Sequence, residues 1–462
     1  MTTADRTEPG DTRQGTEHRR PGAAGGGGRD EYHALLARQD AMRLRQRLLA
    51  PAGPLLTASG PSSSGPRPAR GTPYSYDGLR DQKTIRRHLP LVTPFDELIT
   101  HLYRAMFQQH PYLRRLFPDS MDFQRVHLER AFWYLIENLD RPDEVAGFCA
   151  RLGRDHRKLG VRPVHFEVFE AALAEGLRRT AGPAWVPELE EAWLRMVRFA
   201  VAAMVEGADG AVGEPVSWNA TVTGHQLRRP DVAVLRVRTA EPFPYRAGQY
   251  TSIESPRLPH AWRPYSIACA PRADGELEFH VRRTGSGGLS DVLVTRTGVG
   301  DTLRLGPAQG TTTLDADPGQ EGTPDVLLVA GGTGWATAKA LLEELAARRP
   351  RGRTAHLFLG ARTLDDLYDT AAVAELERQR PWLRVVPVIG DGDSGDGPAS
   401  VADAVVRHGD WSDHLAFVSG PPAMVTTTLD RLTGAGLPPG RLRYDPVGGT
   451  VPLARGAAAR VR

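Results

Sequence analysis

From about Asp81 to Gly210 apolar residues recur at three- and four-residue spacing, as in Leu98, Leu102 and Met106 and again in Trp193, Met196, Val197, Ala200 and Met204. That period puts them on one helix face, and its persistence predicts an all-α domain over residues 81–212. After Gly213-Glu-Pro the pattern changes to alternation, in Val234-Leu-Arg-Val-Arg, Tyr250-Thr-Ser-Ile and Leu277-Glu-Phe-His-Val, with Gly and Pro between the runs. Short alternating strands with such turns predict a small antiparallel β-barrel over 213–318. Over 319–462 the strand-like runs Val326-Leu-Leu-Val-Ala, His356-Leu-Phe-Leu and Leu415-Ala-Phe-Val alternate with helical ones, as in a parallel α/β domain. Residues 1–80 carry no such period. They are rich in Gly, Pro, Ser and Arg, too poor in apolar side chains to offset chain entropy, and are predicted to be a disordered tail. Within them Asp30 to Leu49 reads as a transient isolated helix.

Composition narrows the class. A chain of 462 residues with ample apolar content has room for several cores. The net charge of +3 comes from Arg offset by Asp and Glu, without a concentrated basic stretch, so nucleic acid is not expected as a partner. Cys149 and Cys269 are its two cysteines, too few for a disulfide framework or a thiolate metal site, which fits a reducing cytoplasmic setting. No stretch approaches the roughly 20 apolar residues of a membrane helix, and Met1 to Arg29 lacks a signal-peptide core, so no membrane partner is expected. A monomer is the favoured state, the sequence leaving oligomerisation open.

Two motifs carry chemistry. Gly331-Gly332-Thr333-Gly334 follows a buried-type strand and opens a helix, whose free N–H groups and positive end attract a pyrophosphate. Taken alone, a tight strand-to-helix turn would look the same. In the barrel segment, Arg263-Pro264-Tyr265-Ser266 combines a cation for a phosphate, an aromatic ring to pack on a flavin and a hydroxyl to hydrogen-bond it. Gly285-Ser-Gly-Gly-Leu-Ser290 is a second glycine-rich turn of the same type.

In order and spacing, Tyr245-Arg-Ala-Gly248-Gln249-Tyr250, Arg263-Pro-Tyr-Ser, Gly287-Gly-Leu-Ser290, Gly331-Gly-Thr-Gly, Leu359-Gly-Ala-Arg-Thr363 and Ser419-Gly-Pro-Pro-Ala-Met424 resemble the ferredoxin–NADP reductase superfamily over residues 214 to about 450. The resemblance implies FAD in the barrel, held by Arg263, Tyr265, Ser266 and Gln249 with Gly287, Gly288 and Ser290. It implies NADH or NADPH in the α/β domain, at Gly331, Gly332, Thr333 and Gly334 with Gly420 and Pro421. NADH is the choice by resemblance; Arg362 could meet a 2′-phosphate or be a solvated surface cation. Two departures stand out: Ser419 where the family often has Cys, and Val447 where many relatives place an aromatic ring.

The helical segment needs a redox group if it is to receive electrons, and haem on a single histidine is the simplest. His156 falls near the end of a patterned helix, although a lone histidine there is more often an ordinary one. Tyr103-Arg-Ala-Met-Phe107, His110-Pro-Tyr-Leu-Arg-Arg-Leu116-Phe117-Pro118, Gln124, Leu128 and His156 together resemble the globin domain of flavohaemoglobins over residues 85–210. The resemblance implies haem b with His156 as proximal iron ligand and Phe117 packed on the porphyrin. By the same resemblance Tyr103 and Gln124 hydrogen-bond dioxygen, and Leu128 walls the distal side. His127, one turn from Gln124, is a rival distal residue. On the proximal side Phe166 replaces the usual Tyr, and no Glu counterpart stands near Ala208 to Gly210.

The activity so implied is that of a flavohaemoprotein nitric oxide dioxygenase: electrons pass from NAD(P)H through FAD to haem, where dioxygen and nitric oxide are the small-molecule substrates and nitrate the product. Two alternatives stay open. One is an oxygen- or nitric-oxide-responsive globin kept ferrous by its own reductase, and the other a reductase for an external acceptor.

Overall fold

A computed structural model describes residues 76–314, 324–348, 352–390 and 400–445. The expected tail up to residue 75, its Asp30–Leu49 helix and Val447 lie outside the described residues. The helical domain consists of α1 (Gly78–His88), α2 (Phe95–Gln109), α3 (Asp122–Asn138), α4 (Pro142–His156), α5 (Pro163–Ala181) and α6 (Pro187–Gly210). Helix α1 begins inside the stretch expected to be unstructured: Asp77 caps it by accepting from the Arg80 N–H, and buried Asp81 pairs with Arg195 of α6 at 2.8 Å. Phe95, Phe132 and Trp193, all fully buried, meet edge-to-face with centroids 5.1 to 5.9 Å apart and form the centre of this core.

Helices α4 and α6 cross unusually closely. A Cβ at Gly153 would fall on the backbone of Met204, and one at Gly207 on the backbone of Ala150. The two glycines thus let the helices touch main chain to main chain, which fixes the end of α4 and with it His156.

The barrel contains β1 (Trp218–Arg229), β2 (Val232–Thr239), β3 (Tyr250–Ser255), β4 (Leu258–Ser266), β5 (Glu276–Arg282), α7 (Leu289–Thr295) and β6 (Thr302–Leu305). Its strands pair antiparallel in the order β4-β3-β6-β1-β2-β5, and a bridge between Ile267 and Phe279 brings the two edges together. Alternation puts Ala220, Val222, Leu235, Val237, Leu277 and Phe279 inside, as period two requires.

The last domain holds β7 (Val326–Gly331), α8 (Trp335–Arg348), β8 (Ala355–Ala361), α9 (Thr370–Gln379), β9 (Leu383–Ile389), α10 (Val401–His408), β10 (Leu415–Ser419), α11 (Pro422–Gly434) and β11 (Leu442–Arg443). The sheet is parallel with order β11-β10-β7-β8-β9, so the chain winds outward from β7 to β9 and then returns to β7's other side. The switch point between β7 and β10 is where such sheets hold their ligands. Among the described residues no helix is long and apolar enough to cross a membrane.

Candidate functional site

A mainly apolar cavity of about 360 Å³ lies between the helical domain and the barrel. His156 closes α4 at its wall. Its Nδ1 donates to the Leu152 carbonyl at 2.8 Å, which commits that nitrogen and leaves Nε2 as the ring's lone-pair donor. Burial holds the imidazole below its ordinary pKa, in the neutral form that can ligate a metal.

Tyr103, Phe117, Gln124, His127 and Leu128 line the same cavity, so the five residues expected around a haem converge there with His156. Tyr103 sits against Phe107 and Phe117, each 5.8 Å away by ring centroid, and burial raises its phenol pKa, keeping it a donor. Among the described residues the Gln124 Oε1 is buried with no hydrogen-bond partner, a polar end waiting for a ligand. His127 stacks on Phe123 at 3.7 Å with its Nδ1 on the Phe123 carbonyl, and both expected distal candidates stay on the pocket wall. Phe166 also lines the pocket.

Sequence reasoning did not see that the barrel completes this cavity. Tyr250, Ser252, His260, Trp262, Pro264 and Gln309 form its other side. Arg263 reaches across: its guanidinium carbon lies 3.7 Å from the Phe123 ring centroid, and its Nη1 donates to the Trp262 carbonyl at 2.9 Å. Burial lowers its pKa, and among the described residues it makes no ion pair, which marks a cation still in want of an anion.

The remaining expected flavin residues take different places. Tyr265 packs against the barrel core and Ser266 accepts from the Thr337 hydroxyl at 3.0 Å. Gln249 braces its own loop, accepting from the Arg246 N–H at 2.8 Å and donating to the Gly310 carbonyl at 3.2 Å. Gly287 and Gly288 open α7, where Ser290 Oγ accepts from the Thr284 N–H at 3.2 Å.

Gly331 to Gly334 form the turn between β7 and α8, at the switch point, beside Gly420 and Pro421 after β10. A Cβ at Gly334 would strike the Ser419 carbonyl, and one at Gly331 the Met424 sulfur, so the glycines serve the close meeting of two loops. Ser419 Oγ donates to the Gly334 carbonyl at 2.8 Å, tying these loops together. Thr333 lies in the same turn.

A polar joint between barrel and α/β domain was also missed. Glu278 on β5 lies 3.0 Å from the Lys339 ammonium of α8 and 3.1 Å from His280 Nε2, whose Nδ1 bonds the Tyr368 hydroxyl at 2.8 Å. Burial works to raise the Glu278 pKa, but the His280 hydrogen bond and Lys339 outweigh it and hold the carboxyl well below the usual range. Nearby, Arg229 and Arg282 of the barrel approach Asp366 at 3.6 and 3.4 Å, and Arg228 approaches Asp369 at 3.6 Å. Arg362 is 84% exposed and pairs with Asp366 at 3.6 Å.

Three family models match in succession: Globin over residues 100–204, the oxidoreductase FAD-binding domain over 219–313 and the oxidoreductase NAD-binding domain over 328–430. A flavohemoprotein of Rhizobium meliloti (strain 1021) is 23% identical over 392 residues, covering 76% of this chain and 93% of the relative. The chain belongs to the flavohaemoglobin family. The crystal structure of the flavohemoglobin from Malassezia yamatoensis with bound FAD and heme shares its fold, with 19% identity, a TM-score of 0.64 and coverage of 79% of this chain and 98% of that one. The reductase half is also similar to stand-alone proteins. The ferredoxin–NAD(P)(+) reductase component of the naphthalene 1,2-dioxygenase system of Pseudomonas putida is 30% identical over 267 residues, 56% of this chain and 72% of the relative. Flavohaemoglobin architecture assigns haem to the globin domain, FAD to the barrel and a nicotinamide nucleotide to the α/β domain.

Proposed function

We propose that this oxidoreductase is a nitric oxide dioxygenase, in which electrons from NADH pass through FAD to haem and nitric oxide and dioxygen leave as nitrate. The observation that carries the reading is the shared cavity: the wall opposite His156's helical domain is made by the barrel, with Tyr250, Trp262 and Gln309 in it. A flavin site and a haem site would then adjoin across one cavity.

When bound, flavin takes two electrons from the nucleotide and releases them singly, and the haem iron binds dioxygen. The chain's residues do the rest. His156 would hold the iron through Nε2, its tautomer fixed by the Leu152 carbonyl. Tyr103 would donate from its hydroxyl, and Gln124 from the amide nitrogen, to dioxygen bound in this pocket, where fixed donors stabilise developing negative charge. Phe117 and Leu128 keep the pocket dry. Arg263 would hold the flavin phosphates, and the loops of Gly287 and Gly331 would take the pyrophosphates of flavin and nucleotide. The setting of this activity is the cytoplasm, with a monomer as the working unit.

The test is NADH consumption by the purified protein with and without nitric oxide, with nitrate measured as product; consumption indifferent to nitric oxide overturns the reading. One observation favours a second reading, a reversible oxygen- or nitric-oxide-binding sensor. The partner of His156 Nδ1 is a neutral carbonyl and not a carboxylate, which leaves the imidazole a weaker electron donor. Gas binding with no nitrate formed would select it.

A further inference from the structure

The turn directly after His156 is built into the barrel. Lys158 has a side chain only 2% exposed, and its ammonium pairs with Asp155. It also stands 5.3 Å from the centroid of Trp262 on β4, itself 7% exposed. A second cation, Arg304 on β6, lies 5.1 Å from the same ring. Each cation has its own carboxylate: Arg304 meets buried Glu254 at 2.7 Å, and Asp155 also accepts from Gln309 Nε2 of the barrel at 2.5 Å. Glu254's other oxygen accepts from the His260 N–H at 2.6 Å, holding His260 at a φ of 64°, a left-handed conformation rare outside glycine. The Lys158 stem runs over Gly306, where a Cβ would stand 3.2 Å from its Cδ.

The arrangement is costly to build: a strained residue, a buried lysine, a partly exposed arginine and two carboxylates are all gathered around one tryptophan. Its position explains the investment. Lys158 follows His156 by one intervening residue, and Trp262 immediately precedes Arg263. The clamp therefore joins, by almost the shortest covalent route available, the residue that would hold the iron and the residue that would hold the flavin. We propose that the Lys158–Trp262–Arg304 clamp, braced by Asp155, Gln309 and Glu254, is the positioning device that fixes the flavin-to-haem separation and so sets the rate of electron hand-over. The inference rests on the haem and flavin reading above.

Desolvated cation–aromatic contacts are strong and directional, and the ring face must be retained for them to form. Trp262→Phe keeps a face, Trp262→Leu does not, and Lys158→Met keeps the apolar stem without the charge. In anaerobic stopped flow with NADH, Lys158→Met and Trp262→Leu should each slow haem reduction about tenfold while flavin reduction changes less than about twofold, and the double variant should be no slower than either single one. Trp262→Phe should recover most of the rate. Hydrogen exchange gives a readout independent of electron transfer: in Lys158→Met the backbone of residues 258–266 should lose protection. Haem reduction at the wild-type rate in both single variants, or flavin reduction falling in parallel with it, overturns the clamp. Unchanged exchange in 258–266 does the same. A wild-type protein without a Soret band would overturn the haem reading instead, and the exchange experiment would then decide the clamp by itself.

Discussion

The Arg263 guanidinium carbon lies 3.7 Å from the Phe123 ring centroid, so a residue expected to serve the flavin lies against the N-terminal turn of the helix that carries Gln124. Arg263→Met leaves an apolar arm on Phe123 and removes the charge. FAD affinity should fall at least about tenfold, the worth of a charge-assisted hydrogen bond, with haem content unchanged. Flavin titration into deflavinated protein measures it; an equal loss of haem would assign Arg263 to domain packing.

Tyr103→Phe removes a buried phenol donor and little else, since the ring contacts with Phe107 and Phe117 persist. Oxygen should leave roughly three to ten times faster, as expected for one neutral hydrogen bond, and nitric oxide turnover should fall. An oxygen off-rate equal to wild type would remove Tyr103 from the distal machinery.

Gly153→Ala or Gly207→Ala places a methyl on the main chain of the facing helix, where no side-chain rotation can relieve it. Each should cost about 2–3 kcal/mol, the range for overpacking, and loosen the helix end that bears His156. Urea denaturation gives the first quantity and the temperature at which the Soret band is lost gives the second.

Glu278 contributes stability with a definite pH sign. Its folded-state carboxyl is held below the ordinary value of 4.5, so its contribution is complete above that value and is lost as pH falls toward the folded-state pKa. Glu278→Gln should destabilise the protein by about 2 kcal/mol at neutral pH, less than the loss of a sole partner because Lys339 keeps Glu343 at 2.6 Å. The gap between wild type and variant should begin to narrow below about pH 4 and go on narrowing as pH falls further, in urea midpoints measured across pH. A gap independent of pH would mean that the charge of Glu278 does not matter.

Helix and strand periods made the three folds legible, because each core is built from one repeating face, as Leu98, Leu102 and Met106 or Leu277 and Phe279 show. Tyr103, Phe117, Gln124, Leu128 and His156 came only from the family resemblance; what the structure adds is that they line one cavity. What could not be read was everything made by two domains at once. Lys158 and Trp262 belong to no motif in the sequence, and only their 5.3 Å approach gives either a role. Gly153 and Gly207 would count as flaws inside helices until the facing backbone is seen. Gln249 shows the converse: a motif residue whose side chain is occupied with the backbone of Arg246 in its own loop and of Gly310 after β6.

The segment from Arg263 to Ala268 is about 16 Å long when extended, and both outer domains hold it: Arg263 leans on Phe123, while Ser266 and the Ala268 carbonyl bond Thr337 and Lys339 of α8. Neighbouring residues on a strand point to opposite faces, so this stretch works as a ruler with two fixed marks and a fixed parity. Removing a single residue between the marks would shorten the ruler by only one step, yet would turn one of its two ends to the wrong side of the sheet, separating the globin from the nucleotide domain without altering either.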